Sequence, residues 1–126
     1  MIKLTHLKTI MNPLPVAPQF PTEAQFDVEV DTHDLCFSSR LGDFIRCVDI
    51  STADADVRDG DVALIEYSDD EQEKVQCFRR VRRNGGRYEF WPTNGCDSQV
   101  IVRDDSIGIG ADVKILAKSL WIYRRL

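Results

Sequence analysis

The feature that most constrains this chain is a hairpin written into residues 75 to 91. Val75 to Val81 forms one arm, Asn84-Gly85-Gly86 supplies residues that tolerate positive φ, and Tyr88 to Trp91 returns. Pro92 ends the second arm because proline has no N–H to give to a ladder. Two strands alone are marginal in water, so the rest of the chain has to extend the sheet and bury one of its faces.

The flanking sequence supplies the further strands. Phe26, Val28 and Val30 alternate with Asp27, Glu29 and Asp31, the period-2 pattern of a half-buried strand. Leu41-Gly42-Asp43 precedes Phe44 to Val48, and Arg58-Asp59-Gly60-Asp61 precedes Val62 to Ile65, so each Gly-Asp pair is a turn that launches a strand. Val100 to Val102 reads as a further strand. Val113 to Tyr123 reads as one or two more, with Trp121 and Tyr123 on one face and Ile122 opposite. About seven short strands with little helix predict a mainly β fold, a sandwich or partly closed barrel. Residues 1 to 24 contain four prolines, at 13, 15, 18 and 21, without clear periodicity, and read as an extended arm or linker before a domain over 25 to 126.

Composition narrows the class. With 43% hydrophobic and 29% charged residues the 126-residue chain is neither disordered nor membrane-spanning in character. No apolar run approaches the ~20 residues of a spanning helix, and the N-terminus carries no secretory pattern, so a cytoplasmic location is expected. Cys36, Cys47, Cys77 and Cys96 form no C-x-x-C pair and only His6 and His33 could join them, which predicts reduced thiols and neither a metal site nor any other cofactor. The formal charge of -5 argues against nucleic-acid binding by the chain as a whole, and no stretch has room for a helix-turn-helix reader. The charge is uneven, however: residues 49 to 73 carry ten acidic side chains and residues 79 to 87 five arginines.

Taken in order, Leu41-Gly42-Asp43-Phe44-Ile45, Asp59-Gly60-Asp61-Val62, Phe78 to Gly85, Phe90-Trp91-Pro92-Thr93-Asn94 and Ile115 to Trp121 resemble the C-terminal domain of LexA-type and phage repressors. That self-cleaving serine-lysine fold is found also in the UmuD mutagenesis proteins. The resemblance spans residues 26 to 126. It implies a homodimer or higher homo-oligomer, a role in transcriptional regulation, the SOS response or phage lysogeny, and a serine whose proton is taken by a lysine so that its oxygen can attack a backbone carbonyl of the same chain.

The departures bear on that chemistry. The position resembling the family's lysine is Arg79, and a guanidinium cannot lose its proton inside a protein, so it cannot serve as the general base. The serine falls near Thr32, His33 or Asp34 in one register; in another, Ser51 stands eight residues before Asp59. Neither Ala-Gly nor Cys-Gly, the dipeptides cut in this family, occurs in the chain. The resemblance therefore implies a pseudo-peptidase with His33 and Arg79 at degenerate dyad positions and no catalytic residue, with a serine peptidase built on Ser51 as the alternative.

Two further constellations remain. Ile115, Trp121, Ile122 and Tyr123 lie where the resembling family builds its dimer contact, and are the expected self-association residues. Arg80, Arg82, Arg83 and Arg87, interleaved with Tyr88, Phe90 and Trp91, could bind single-stranded nucleic acid. On a hairpin, alternation instead sends the aromatics to the core and leaves the arginines solvated or paired with the acidic run. Ser68 to Glu73 reads as a solvated hairpin tip, and His33 as a surface residue of a polar turn. The expected function is a catalytically silent repressor-type module that self-associates, with DNA read only through a partner protein. The alternatives are a UmuD-like accessory protein docking on a DNA polymerase and a single-strand-binding β-barrel.

Overall fold

The computed structural model describes residues 3–4, 19–29, 42–93 and 99–123. Its strands are β1 (Lys3–Leu4), β2 (Gln25–Glu29), β3 (Phe44–Asp49), β4 (Val62–Ser68), β5 (Lys74–Asn84), β6 (Arg87–Trp91), β7 (Ile101–Asp104) and β8 (Lys114–Tyr123). A four-residue helix, α1 (Ile50–Ala53), follows β3. The strands make one antiparallel sheet in the order β1-β2-β3-β8-β4-β5-β6-β7.

The mainly β class is as expected, but the layering differs. All eight strands are hydrogen-bonded into one sheet, and β1 and β7 remain its two edges among the described residues, so it is not closed into a barrel. Lys3–Leu4, inside the stretch read as an arm, adds an edge strand against Val28 and Glu29. The span Val113 to Tyr123 gives a single long strand, β8, inserted between β3 and β4.

Local chemistry explains the turns. At Gly60 φ is +92°, which a side chain would resist, and there the backbone doubles back so that Gly60 N donates to Val81 O at 2.8 Å and Val81 N to Asp61 O at 2.7 Å. The second Gly-Asp turn is thus tied to β5 before β4 begins. At the acidic tip, the Asp69 carboxylate accepts from the backbone N–H of Glu71 and of Glu73, both at 2.9 Å. The side chain that looked merely solvated in the sequence organises the turn.

Each face of the sheet carries a buried cluster. On one, Val28, Ile45, Cys47, Leu64, Phe78 and Ala117 pack together; on the other, Val57, Ala63, Ile65, Val81, Tyr88, Phe90 and Val113 do. Strand β8 serves both clusters by alternation, and its register shifts twice, against β4 between Leu64 and Ile65 and against β3 between Arg46 and Cys47. Such bulges break period 2 and let neighbouring residues change faces.

Strand β2 corrects the sequence reading. Phe26 and Val28 do point to the first cluster, but Asp27, expected on a solvent face, is buried too. Its cross-strand partner is Arg46, and ion pairing is what makes burial of the carboxylate tolerable.

Candidate functional site

Arg79 lies on β5 directly across from Ala63, which in turn lies across from Lys118 on β8. Directly paired residues project to the same side, so Arg79, Ala63 and Lys118 form one row over the second cluster. Arg79 is only 8% exposed, and its Nη1 donates to the carbonyl of Gln99 at 3.0 Å. Beside it, burial raises the Tyr67 hydroxyl above its ordinary pKa, helped by the charge of Cys77 and opposed by Arg79. The guanidinium is therefore a fixed cation that ties the 99–100 segment to β5.

Ser51 sits on α1 and is exposed. The helix is capped by Asp49, whose carboxylate accepts from Thr52 N at 2.8 Å, and ends at Asp54, in the left-handed region at φ +50°. No hydrogen bond or ion pair joins Ser51 to a lysine, histidine or arginine side chain among the described residues. Thr32, His33 and Asp34, the other serine-equivalent positions, lie outside the described residues, as do Cys36 and Cys96. Cys47 and Cys77 are free thiols, and burial pushes the Cys47 thiol up. Among the described residues no three His, Cys, Asp or Glu side chains come together in a way that could hold a metal.

The lysine that the sequence reading passed over is Lys118. Its Nζ donates to the carbonyl of Asp56 at 3.1 Å, lies 4.0 Å from Asp61 Oδ2, and stands 5.3 Å from the centroid of the Phe20 ring. It holds the 56–61 loop to the sheet. Nothing in its local sequence signals this, because the contact with Asp56 spans 62 residues.

The arginines of the hairpin divide between two faces. Arg83 shares a face with Val81, donates to Asp56 Oδ2 at 2.7 Å and Val57 O at 2.8 Å, and stacks 5.0 Å over Tyr88. The hydrogen bond from Arg83 holds the Asp56 carboxyl below the usual carboxylate range. Arg87 reaches Glu89 and Asp104 at 3.4 and 3.7 Å, and Arg80 donates to Gly60 O at 2.8 Å. Pairing with the acidic run thus holds for Arg83. The aromatics correct the reading: Tyr88 and Phe90 fill the second cluster, but Trp91 is 44% exposed on the opposite face. Adjacent strand residues must face opposite ways, so Phe90-Trp91 already carried that signal.

The expected self-association residues separate as well. Ile115 packs against the second cluster and Ile122 against the first. Trp121 and Tyr123 share the other face of β8 with Phe44 of β3, and all three are half-buried. Phe44 and Tyr123 stack with centroids 5.4 Å apart, and the Arg46 guanidinium lies 6.0 Å from the Trp121 ring. Beneath them Arg46 is bonded through Nε and Nη2 to Asp27. Burial alone would lower the Arg46 pKa, but the hydrogen bond and charge of Asp27 outweigh it and hold the guanidinium above its ordinary value.

No protein-family model and no curated protein matches this chain. No helix among the described residues is long and apolar enough to cross a membrane.

Proposed function

We propose that this chain is a non-cleaving module of the repressor C-terminal type that acts by self-association in transcriptional control, in the cytoplasm, with sequence-specific DNA reading left to a partner protein. The observation that carries the reading is Arg79. The resemblance puts lysine at this position, and here a permanent cation is buried and bonded to Gln99 O. A base that cannot release its proton leaves a serine unactivated, whichever register supplies it. Exposed Ser51, without a basic side chain bonded to it among the described residues, supports the same conclusion.

Self-association is supported by the aromatic face of β3 and β8. Phe44, Trp121 and Tyr123 form a half-buried patch over an ion pair, and aromatic side chains backed by arginine are the chemistry enriched at protein interfaces. Strand β8 is internal to the sheet, so the contact is face to face and not an edge pairing.

Two measurements test the proposal. Purified protein held for a day at alkaline pH should keep its intact mass; a discrete fragment pair abolished by Ser51→Ala would replace this reading with an active serine peptidase. Light scattering should give at least a dimer at high micromolar concentration. A monomer there removes the self-association half of the proposal.

A further inference from the structure

The outward face of the β5–β6 hairpin, away from the second cluster, carries an arrangement that self-association does not use. Cross-strand pairing sets Arg80 beside Trp91 and Arg82 beside Glu89 on this face. Trp91 is 44% exposed and its indole N–H donates to Glu89 Oε1 at 3.0 Å, which fixes the ring. The other oxygen of Glu89 accepts from Arg87 Nε at 3.4 Å. Both oxygens of that carboxylate are therefore engaged, and Arg82 has no hydrogen-bond or ion-pair partner among the described residues. Arg80 uses Nη1 on Gly60 O, on the β4 side of its strand, and leaves its remaining N–H groups for another acceptor. A pocket of about 190 Å³, lined by Asp59, Arg82, Arg83, Asn84, Arg87 and Glu89, opens beside Arg82 at the end of the hairpin.

We propose that this face binds a single strand of nucleic acid, with one base stacked on Trp91 and backbone phosphates at Arg80 and Arg82. The two arginines are alternate residues of one strand, about 7 Å apart. An extended single strand offers anionic oxygens and open π faces together, which is what a fixed indole with arginines on the same face of the neighbouring strand recognises. Duplex DNA keeps its bases stacked on one another and gives Trp91 no partner. An acidic peptide supplies the charge without the plane. The chain's net charge of -5 opposes any polyanion, so the binding is of micromolar strength and salt-sensitive.

The test uses the full chain and an oligodeoxythymidylate of about 12 nucleotides, within the length one small β domain covers. Fluorescence anisotropy of a labelled oligonucleotide should saturate with micromolar affinity at low salt, together with quenching of tryptophan emission. Raising salt from about 50 to 200 mM should weaken it about 5 to 20-fold, the change expected for two or three phosphates contacted on a single strand. Trp91→Ala should weaken binding at least about 5-fold and Trp91→Phe much less, since a smaller ring still stacks. Arg82→Ala should lower both affinity and salt slope, and circular dichroism checks that each variant stays folded. Three results each overturn the proposal: no saturable binding at about 100 μM protein and low salt, equal binding of base-free polyphosphate, or binding unchanged in Trp91→Ala and Arg82→Ala. A fourth also does so: if the two variants disturb oligomerisation by light scattering and oligonucleotide binding is absent, the face meets a second copy of the chain, whose acidic 69–73 turn is the complementary segment.

Discussion

The Tyr123 hydroxyl donates to Asp27 Oδ2 at 2.6 Å, joining the last described residue of the sheet's longest-range pairing to β2 across 96 residues of sequence. The same carboxylate accepts from Arg46 Nε and, at 3.2 Å, from Nη2. Three strands, β2, β3 and β8, are thereby locked in register by one acidic side chain, on the face that the aromatic patch covers. Strand β8 is bulged against β3 between Arg46 and Cys47, and these polar bonds hold the strand end beyond the bulge.

Removing the anion should be far worse than removing the whole pair. Asp27→Ala leaves the Arg46 guanidinium buried without its counter-ion, and should cost about 3–5 kcal/mol in urea unfolding. Replacing both, Asp27→Leu with Arg46→Met, removes the stranded charge and should recover much of that loss. Tyr123→Phe deletes one hydrogen bond and should cost only about 1–2 kcal/mol. A double variant no more stable than Asp27→Ala shows that the pair matters for its shape and not for its charge.

The same site gives an alkaline signature. Burial pushes the Tyr123 pKa up to about 12, with the hydrogen bond and charge of Asp27 adding to it. A free tyrosine ionises near pH ~10, so above that the unfolded chain has lost a proton that the folded chain retains. The stabilisation is complete below pH ~10 and declines as pH rises through the folded value. Unfolding free energy should therefore fall over this interval in the wild type, and less steeply in Tyr123→Phe. Equal slopes in the two proteins contradict the assignment.

How far the sequence foretold this structure depends on the range of the interaction. The β5–β6 hairpin was legible because its determinants, Asn84-Gly85-Gly86 and the two flanking runs, lie within a few residues of each other. The turn at Gly60 was legible for the same reason. The place of β8 was not: Arg46 pairs with Trp121 and Ala63 with Lys118, contacts that no local pattern encodes. Two bulges then shift its faces, so simple alternation fails along it. Asp27 was read as solvent-facing because alternation reports which side a residue takes, not whether that side is covered. At the candidate sites, Arg79 could be flagged from sequence as a charge that cannot deprotonate, while its partner Gln99 O and its neighbour Tyr67 came from folding.

Arg83 and Asp56 should differ sharply as mutation sites although they share one ion pair. Asp56 is largely exposed, and a surface pair contributes at most about 1 kcal/mol, so Asp56→Asn should be mild. Its contribution is present at neutral pH and is lost as pH falls through the lowered folded pKa, because Asp56 protonates more readily in the unfolded chain. Arg83→Ala also removes bonds to the carbonyls of Val57 and Gly85 and the cation over Tyr88, and should cost about 2–3 kcal/mol. Thermal or urea melts that rank the two equally argue that the salt bridge is the whole of the interaction.

The loop from β7 to β8 protects an open sheet edge, and two of its glycines separate strain from collision. Asp104 and Ile109 exchange backbone hydrogen bonds, at 2.8 and 3.1 Å, which folds the loop back along β7. Gly110 then comes so close that a Cβ there would stand 2.3 Å from Val102 O and 3.0 Å from Arg103 Cα, and its φ is +71°. Gly108 has nearly the same φ, +74°, with nothing within 4 Å of its Cβ position. Gly108→Ala should therefore show conformational strain alone, about 1–2 kcal/mol. Gly110→Ala adds a backbone collision that cannot be relieved without lifting the loop from Val102, so it should be clearly more destabilising and should expose the β7 edge. Unpaired edges recruit other strands, so this variant should also aggregate on mild heating, while Gly108→Ala stays soluble. If the two alanine variants melt together and neither aggregates, the loop is not what covers that edge.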